Sequence, residues 1–581
     1  MDQLPEVLRR LLQIRGIADA DLEGFLHPSL RDLADPADLP GVEAASRFIL
    51  DALVARRPIV VFGDYDCDGV CATAILVKVL TDLAAGLQSL DPKESATPGV
   101  PAVSAFIPER LTEGYGMSDA SVTRMLEENP KASLVVTVDN GINSIEQVAA
   151  LKDCGIDCVV TDHHLPSREL KADGSSGDVI LPNAAVVVDP KVAAPKHLED
   201  LCGAGVAFFL ANRIVSDARM LGIYNGPKLG GPLLVLAGLA TVTDIMPVLG
   251  QNRILVSEAI KNFRFCAPLG LQELHYRAAR NARNDITARD FGFLLGPRIN
   301  AAGRLASGMD ALDLILETNR ERVREYARRI DLNNAERKTI ETKMSEEALA
   351  KVVPGALAQV IDLPDGHPGV AGIVAARVME HLGGTVPVCV IAGGHGSGRA
   401  PDGINIRDAF VACADVLDSY GGHAAAGGFS VKKDENGKEM IDRFRQMLNA
   451  YCAKLAPADG AAKKPSLAEM WLKPEDITVE LADALLALEP FGEGNPDPIF
   501  GLHDVVFTDV KPLGQEGKHL VLMVGEPDAP KESRLRAIWW AHSCLVDELR
   551  EHGAALHDIC FTLTTSDYGE HHVELRLVSI D

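Results

Sequence analysis

The run Gly63-Asp64-Tyr65-Asp66-Cys67-Asp68-Gly69 places three carboxylates within five residues, directly after the apolar run Pro58–Phe62. Carboxylates this close repel one another, and burial adds to the cost, so a cation is needed to keep all of them ionised. The Asp-x-Asp-x-Asp-Gly spacing also matches the first half of a calcium-binding EF-hand loop, which needs a Glu at its twelfth position. The twelfth residue counted from Asp64 is Ile75, so the EF-hand interpretation fails.

Further acidic and imidazole side chains follow other apolar runs along the chain. They are Asp139 after 134–138, the run Asp162, His163 and His164 after 158–161, and Asp244 at the end of 233–242. In an open α/β sheet, ligands bind beyond the carboxyl ends of the strands. A single Asp after a strand is often only a helix cap. Four segments that deliver such groups to one sheet edge favour a metal site instead.

The donor types predict which metal would bind. Sites made only of oxygen ligands suit Mg²⁺ or Ca²⁺, and an imidazole ligand shifts the preference toward Mn²⁺. We therefore predict two divalent ions, Mn²⁺ or Mg²⁺. A pair of such ions can activate water for in-line attack on phosphorus, so no Ser or Cys nucleophile is required. Cys67 is interpreted as a small packing residue.

The positions of strands and helices predict a multidomain α/β protein. Short apolar runs alternate with amphipathic helices from residue 58 to about 245, which indicates a doubly wound parallel sheet. A linker rich in Ala, Lys and Pro is predicted over 456–465. The predicted units are an N-terminal helical segment (1–57), the catalytic domain (58–309), a long connecting helix (310–352), a smaller α/β domain (353–455) and a C-terminal β-barrel (466–581).

Composition limits the possible function classes. A chain of 581 residues is too long for one core. No uninterrupted apolar stretch has the length of a membrane span and no signal segment is recognisable, so a cytoplasmic protein without a membrane partner is expected. The eleven cysteines contain no C-x-x-C pair and are expected to be reduced. The net charge of −25 argues against nucleic acid, but arginines concentrate locally in the stretches 277–289 and 320–338.

The motifs carry a family resemblance. The aspartate run at 63–69, Val138-Asp139-Asn140-Gly141 and Asp162-His163-His164 resemble the first three motifs of the DHH phosphoesterase superfamily, and Asp244 resembles the fourth. Within that superfamily the chain is similar to the RecJ family of bacterial single-strand-specific 5′→3′ DNA exonucleases. The segments that carry this similarity are Gly296–Arg304, His367–Val374, Gly396–Ala400, Gly421–Gly428 and Glu489–Pro496.

The resemblance implies roles for individual residues. It makes Asp64, Asp66, Asp68, Asp139, His163 and Asp244 metal ligands, with His164 as a ligand or an acid/base neighbour of the scissile phosphate. It implies a DHHA1 domain that binds the nucleic-acid end and a C-terminal OB-fold. The residues expected to contact the strand are Arg298, Asn300, Arg304, Ser397, Arg399, Gly421, Gly422 and His423. Glycines admit close approach of an anion to backbone N–H groups, and Arg399 can form paired hydrogen bonds to phosphate.

Four positions need separate comment. Cys67 stands where the family usually has Ala, a change of one small residue for another. Asp189 lies in Val188-Asp189-Pro190 where the family often has Asn-Pro, so we leave it out of the site. Of the neighbours Trp539 and Trp540, both candidates for base stacking, one is expected to face the core because side chains alternate along a strand.

The expected function is metal-dependent hydrolysis of single-stranded DNA from the 5′ end to 5′-mononucleotides, in DNA repair and recombination. The resemblance also implies single-strand-binding protein and a RecQ-type helicase as partners, and the self-contained domains suggest a monomer in a bacterial cytoplasm. One alternative is a DHH-type phosphodiesterase that acts on short oligonucleotides or cyclic dinucleotides, although it would not need the C-terminal β-barrel. A non-catalytic DNA-binding scaffold is the other, but such a protein would lose metal ligands.

Overall fold

The first domain contains a five-stranded sheet in which every strand is parallel to its neighbours. Its order is β2 (Val103–Phe106), β1 (Ile59–Phe62), β3 (Leu134–Val138), β4 (Asp157–Thr161) and β7 (Val186–Val188). The computed structural model describes residues 4–90, 103–114, 116–170, 176–226, 230–279, 285–434, 440–455, 467–514, 517–566 and 571–580. The linker predicted over 456–465 therefore lies outside the described residues. The predicted doubly wound sheet is confirmed.

The predicted N-terminal segment 1–57 divides between two cores. It forms α1 (Glu6–Ile14), α2 (Leu22–Leu26) and α3 (Val42–Val54). The apolar residues of α1 and α2 are buried with those of the C-terminal barrel, whereas α3 packs into the first domain. The segment is thus not one structural unit, because each amphipathic helix buries its apolar face against a different partner.

The sheet and its first helices follow in chain order, and a separate two-stranded hairpin interrupts them. The elements are β1 (Ile59–Phe62), α4 (Cys67–Leu90), β2 (Val103–Phe106), α5 (Asp119–Glu128), β3 (Leu134–Val138), α6 (Ile145–Asp153), β4 (Asp157–Thr161), the hairpin strands β5 (Arg168–Leu170) and β6 (Ser176–Val179), and β7 (Val186–Val188). β1 and β3 are buried on both faces, as expected for central parallel strands.

Helices complete the first domain. They are α7 (Pro190–Ala193), α8 (Gly203–Met220), α9 (Pro232–Thr243), α10 (Gly250–Cys266), α11 (Leu269–Ala278), α12 (Ala288–Asp290), α13 (Gly296–Leu305) and α14 (Gly308–Leu316), with a π-helical turn at Phe291–Leu295. Residues 67–87 of α4 are long enough, and on average apolar enough, to cross a membrane, although Asp68, Lys78 and Asp82 interrupt the apolar run. However, α4 packs against α8, α9 and α14, and its apolar residues lie in the core of the first domain.

The stretch 310–352 contains two helices where one was predicted. α14 ends at Leu316, and α15 runs over Arg320–Ala350 with the Asn319 side chain capping its first turn. α15 is also buried along one face rather than solvated on all sides. It forms an ion pair with each domain, between Asp331 and Arg298 and between Glu341 and Arg377. α15 therefore connects the two domains through packing and charge.

The second domain has a five-stranded sheet in the order β11-β12-β10-β9-β8, in which only the β8–β9 pair is parallel. Its elements are β8 (Gln359–Leu363), α16 (Ala371–His381), β9 (Val388–Ala392), β10 (His395–Arg399), α17 (Ile406–Ala412), β11 (Leu417–Gly422), β12 (Ala426–Val431) and α18 (Ile441–Leu455). β10, β11 and β12 carry the glycine-rich motifs found in the sequence.

The C-terminal region is a closed five-stranded barrel, which confirms the predicted OB-fold. It contains β13 (Met470–Trp471), α19 (Val479–Leu485), β14 (Phe500–Leu513), β15 (His519–Gly525), β16 (Leu535–Trp539), α20 (Val546–His552), β17 (His557–Ser566) and β18 (His572–Ile580). Pairing of β14 with β17 closes the barrel, and β13 adds to its edge. As expected, Trp539 is buried while Trp540 is half exposed.

Arg253 joins the first domain to α2 and to the segment that precedes the C-terminal barrel. This α10 side chain is 1% exposed and donates to the carbonyls of Phe25 at 2.7 Å, Leu488 at 3.0 Å and Glu489 at 2.9 Å. Its guanidinium also lies 4.0 Å from the ring centroid of Phe25. Burial lowers the pKa of Arg253 to about 10, so it remains charged at neutral pH.

Replacing Arg253 tests this junction. Arg253→Met keeps most of the volume but leaves several buried carbonyls without donors, each costing about 1–3 kcal/mol. We expect a clear loss of stability in thermal unfolding, with earlier proteolysis near residue 488. Arg264→Met, on the exposed side of the same helix, is the matched control. Equal unfolding temperatures for the two variants would contradict this role.

Candidate metal centre at the edge of the parallel sheet

The aspartate loop after β1 is held by backbone donors. Oδ1 of Asp66 accepts hydrogen bonds from the N–H groups of Asp68 and Gly69, both at 3.0 Å, and so caps α4. The two carboxylate oxygens of Asp68 accept from the N–H groups of Gly203 and Ala204, each at 2.7 Å. These donors belong to the first turn of α8, whose dipole favours a negative charge there. These donors fix the orientation of the Asp68 carboxylate, although burial and the charge of Asp66 raise its pKa to about 6.

Asp139 occupies a strained position after β3. Its φ is +61°, which is uncommon for a residue other than glycine. Gly203 makes room for it, since a Cβ there would lie 2.5 Å from the Asp139 Cβ. The neighbouring Asn140 donates to the carbonyls of Val138 at 2.9 Å and Phe62 at 3.3 Å, which ties β3 to β1 at the site. The strain and close packing fix the carboxylate of Asp139 at the sheet edge.

Two histidines after β4 have different surroundings. Nε2 of His163 lies 3.1 Å from Oδ1 of Asp139, 3.6 Å from Oδ2 of Asp244 and 3.7 Å from Oδ2 of Asp68. His164 instead contacts Oδ1 of Asp162 through Nδ1, at 2.7 Å. The other oxygen of Asp162 accepts from the N–H of Ile142 at 2.9 Å. Asp162 thus orients His164, while His163 faces the carboxylates.

The seven predicted residues form three overlapping groups. In each group the ligand atoms lie within 4.8 Å of one another; the groups are Asp64, Asp66 and Asp139, then Asp68, His163 and Asp244, then Asp139, His163 and His164. Asp139 and His163 each belong to two groups. This sharing is the arrangement that two neighbouring cations need.

Unpartnered polar atoms support a cation at this position. Among the residues that the structure describes, both carboxylate oxygens of Asp64, Oδ1 of Asp139 and Nε2 of His163 are buried without a hydrogen-bond partner. Buried polar atoms of this kind normally have partners, so each needs an explanation. A divalent ion would satisfy all of them, and the donor set of oxygens with one or two imidazoles fits Mn²⁺ or Mg²⁺.

The pKa values of the buried carboxylates reflect their mutual repulsion. Burial, followed by the charge of Asp66, raises the pKa of Asp64 well above its usual value, and burial with neighbouring carboxylates does so for Asp139 and Asp244. Burial lowers the pKa of His163 to about 3, so its imidazole is neutral and free to bind a metal. For His164, burial is outweighed by Asp162, and its pKa rises to about 9.

The second domain brings its predicted residues next to this centre. The rings of His423 and His164 are stacked, with centroids 5.6 Å apart. Ser397 and Arg399 border the first turn of α16, where a Cβ on Gly372 would come 2.8 Å from Nη2 of Arg399. Gly422 is required by the β11–β12 hairpin, because a Cβ there would lie 2.4 Å from the Ala426 carbonyl. Gly421 has open space around it, so packing does not account for this glycine.

Three candidates at the end of the first domain have different surroundings. Arg298 is buried and donates to Asp331 at 2.9 Å and to the Leu294 carbonyl at 2.8 Å, so its side chain serves the α13–α15 contact. Oδ1 of Asn300 accepts from the Cys67 N–H at 2.7 Å and thereby supports the aspartate loop. Arg304 donates to the carbonyl of Gly369 in the second domain at 3.0 Å. Of these three side chains, Arg304 is the one that donates to the second domain.

Sequence reasoning missed Arg110, which follows β2. Its guanidinium lies 5.0 Å from the ring centroid of Tyr65, within the aspartate loop. Burial and then the charges of Arg110 and Arg399 lower the pKa of Arg304 to about 9, which places three arginines close together. Among the described residues, none of the three forms an ion pair with a carboxylate. The available signal was the position of Arg110 after a strand of the same sheet.

The two positions that differ from the usual family residues, Cys67 and Asp189, lie beside the site. Cys67 is buried, as its assignment to packing requires, and all eleven cysteines are unpaired. Asp189 is also buried; one oxygen accepts from the Lys191 N–H at 2.7 Å, and it belongs to none of the three ligand groups. Burial and the charge of Asp162 raise its pKa to about 7.

Family models match three regions of the chain. The DHH family, N-terminal domain, matches residues 58–227, the DHHA1 domain matches 354–454, and the RecJ OB domain matches 468–579. Together with the aspartate loop and paired histidines at the edge of a parallel sheet, these matches define a DHH phosphoesterase.

Comparison with individual proteins and solved structures shows which family of this class the chain belongs to. The chain is 32% identical to the single-stranded-DNA-specific exonuclease RecJ of Escherichia coli, over 86% of this chain and 84% of that protein. It is 29% identical to RecJ of Bacillus subtilis, covering 88% of this chain but 61% of that longer relative. The crystal structure of RecJ from Thermus thermophilus in complex with Mn²⁺ superimposes with a TM-score of 0.77 at 29% identity, covering 98% of this chain and 75% of that one. The corresponding Mg²⁺ complex gives a TM-score of 0.70 at 28% identity, covering 98% and 73%. The chain belongs to the RecJ family.

Repulsion among the buried carboxylates should lower the stability of the metal-free protein. Asp64→Asn removes one buried negative charge, so the metal-free protein should unfold at a higher temperature than the wild type. The same substitution weakens cation binding, so added Mn²⁺ should raise the unfolding temperature of the variant less than that of the wild type. Thermal unfolding with EDTA and with Mn²⁺ measures both effects.

Asp189→Asn is the matched control, since it neutralises a buried Asp that follows β7, another strand of the same sheet. It should respond to Mn²⁺ as the wild type does. If Asp64→Asn kept the full response to Mn²⁺, Asp64 would not be a ligand.

Proposed function

We propose that this chain is a metal-dependent exonuclease that degrades single-stranded DNA from its 5′ end and releases 5′-mononucleotides. The observation that carries the proposal is the overlap of the three ligand groups beside the second domain. The family relationship supports the substrate, because the relatives are described as single-stranded-DNA-specific exonucleases. The cofactor is Mn²⁺ or Mg²⁺, the ions of the Thermus complexes.

The proposed ligands are Asp64, Asp66, Asp68, Asp139, His163 and Asp244. A bound pair of divalent ions supplies a water of lowered pKa and stabilises negative charge that develops on the phosphate oxygens. The chain's own groups set the geometry: Asn300 and the first turn of α8 hold the aspartate loop, and Asp162 orients His164. His164, which is oriented by Asp162 and stacks on His423, is placed to donate a hydrogen bond at the phosphate.

Three arginines form the proposed binding site for the phosphate backbone. Arg110, Arg304 and Arg399 gather between the aspartate loop and the first turn of α16, and each can donate to phosphate oxygens. Burial and then the charges of Arg110 and Arg399 lower the pKa of Arg304, and a phosphate there would offset that repulsion. Ser397, Gly421, Gly422 and His423 complete the surface on the second domain. These contacts are to backbone groups, which fits a nuclease that does not read sequence.

Wider roles follow from the family and stay proposals. Single-stranded DNA is the substrate, single-strand-binding protein and a RecQ-type helicase are the proposed protein partners, and the enzyme acts as a monomer in a bacterial cytoplasm during repair and recombination. The match to the RecJ OB domain favours a long strand over the alternative substrates, short oligonucleotides and cyclic dinucleotides.

Digestion of end-labelled oligonucleotides tests the function. With Mn²⁺ or Mg²⁺, but not with EDTA, the wild type should release a labelled mononucleotide from a 5′-labelled single strand and leave a blunt duplex intact. Asp139→Ala should lower the rate by more than about a hundredfold, because a ligand shared by two groups is lost. Asp189→Asn serves as the control.

Other outcomes would identify the alternatives. Cleavage of dinucleotides or cyclic dinucleotides without degradation of long strands would indicate the small-substrate phosphodiesterase. Binding of single strands with no cleavage in any metal would indicate the scaffold. First release from the 3′-labelled end would contradict the proposed polarity.

Salt dependence tests the arginine cluster. Arg110→Ala should raise KM for single-stranded DNA more than it lowers kcat, because the guanidinium binds substrate without touching the proposed metal ligands. Loss of one phosphate contact should also reduce the slope of log K against log salt by about 0.7. Arg47→Ala, which removes an exposed arginine from α3, should change neither quantity. An unchanged salt slope for Arg110→Ala would place this arginine outside the DNA contact.

A further inference from the structure

Ile245 combines backbone strain with exposure, immediately after the proposed ligand Asp244. It follows the end of α9 with φ at +56°, a left-handed conformation that a β-branched side chain rarely adopts. Helices commonly end in this conformation, but usually with glycine. The side chain is 70% exposed, so internal packing does not compensate the strain. Strain of this kind concentrates where a side chain has a binding or catalytic role.

A second exposed apolar residue lies on the neighbouring element. The π-helical turn Phe291–Leu295 buries Phe291 and Leu295 but leaves Phe293 69% exposed. This turn packs on the end of α9, since a Cβ on Gly296 would come 2.3 Å from Cγ2 of Thr243. π-Helical turns occur frequently at functional sites. The turn that carries Phe293 therefore lies beside the end of α9, which Ile245 follows.

A positively charged side chain, Arg289, lies beside Phe293. The guanidinium of Arg289 lies 5.2 Å from the ring centroid of Phe293, and Arg289 is itself exposed. An aromatic face with an adjacent guanidinium is the combination that binds bases of single-stranded nucleic acid without reading their sequence. Single exposed apolar residues are common on protein surfaces. The strain at Ile245, the π-helical turn and Arg289 distinguish this border from a chance exposure.

The border also faces the C-terminal barrel. Burial raises the pKa of Asp497, which lies just before β14, and the charge of Arg289 opposes this more weakly than those of Arg576 and Arg15 do. The N–H of Val248, three residues beyond Ile245, donates to the carbonyl of Glu493 at 2.8 Å. A strand that contacts both the barrel and the metal centre would therefore pass this border.

We propose that Ile245 and Phe293 form an apolar rim on which bases of single-stranded DNA pack between the barrel and the metal centre. This inference rests on the proposed function and assigns residues that determine how the strand is held. The rim contacts bases, whereas the arginine cluster contacts phosphates, so the two can be separated by experiment. The strained backbone at Ile245 is retained because glycine would lose the side chain that contacts the base.

Binding to normal and abasic strands tests the rim. Fluorescence anisotropy in EDTA would compare a single-stranded oligonucleotide with one of equal length whose 5′ segment is abasic. For the normal strand we expect about fivefold or weaker affinity in Phe293→Ala and a smaller loss in Ile245→Gly. Neither variant should bind the abasic strand less tightly than the wild type does. Ile245→Gly should also unfold at a higher temperature, because glycine adopts the left-handed conformation without strain.

Met220→Ala, which shortens a 74% exposed side chain at the end of α8, is the control and should bind both strands normally. Wild-type affinity for both strands in both rim variants, with the wild type degrading DNA in Mn²⁺, would overturn the rim and leave the proposed function standing. A lower unfolding temperature for Ile245→Gly would also overturn it, since the side chain would then serve packing. A wild type that neither binds nor degrades single strands would overturn both.

Discussion

Repulsion among buried carboxylates is the constraint on which the rest of this structure depends. Asp64, Asp66, Asp68, Asp139 and Asp244 converge at one sheet edge, and burial with mutual repulsion raises the pKa of several of them. Without a compensating cation this arrangement costs free energy, so the surrounding fold must hold it in place. The first turn of α8, the side chain of Asn300 and the left-handed backbone of Asp139 do so.

The domain arrangement completes the site. Parallel strands bring the acidic loops to one edge, and α15 then positions the second domain, whose His423 stacks on His164. Arg253 similarly connects the first domain to the barrel and to α2. In a protein of net charge −25, Arg110, Arg304 and Arg399 thus lie close to one another where the two domains meet. This location resolves the apparent conflict between an acidic chain and a phosphate-bearing substrate.

Much of this arrangement could be predicted from sequence, because the signals are local. β1 and β3 have the predicted bounds, and the groups that follow β1, β3 and β4 converge because carboxyl ends of parallel strands share an edge. Long-range packing could not be predicted: nothing local reveals that α1 and α2 join a barrel more than 400 residues away. The break before Arg320 was hidden by the charged pattern, although Asn319 is a recognisable helix cap. Arg110 was missed because its partners are brought close only by tertiary structure.

The most direct test of the two-cation account is anomalous diffraction at the manganese edge from crystals of the full chain grown with Mn²⁺. The account predicts two peaks about 4 Å apart. One should lie among Asp64, Asp66 and Asp139, and the other among Asp68, His163 and Asp244. A single peak, or manganese bound elsewhere with these carboxylates unoccupied, would contradict it.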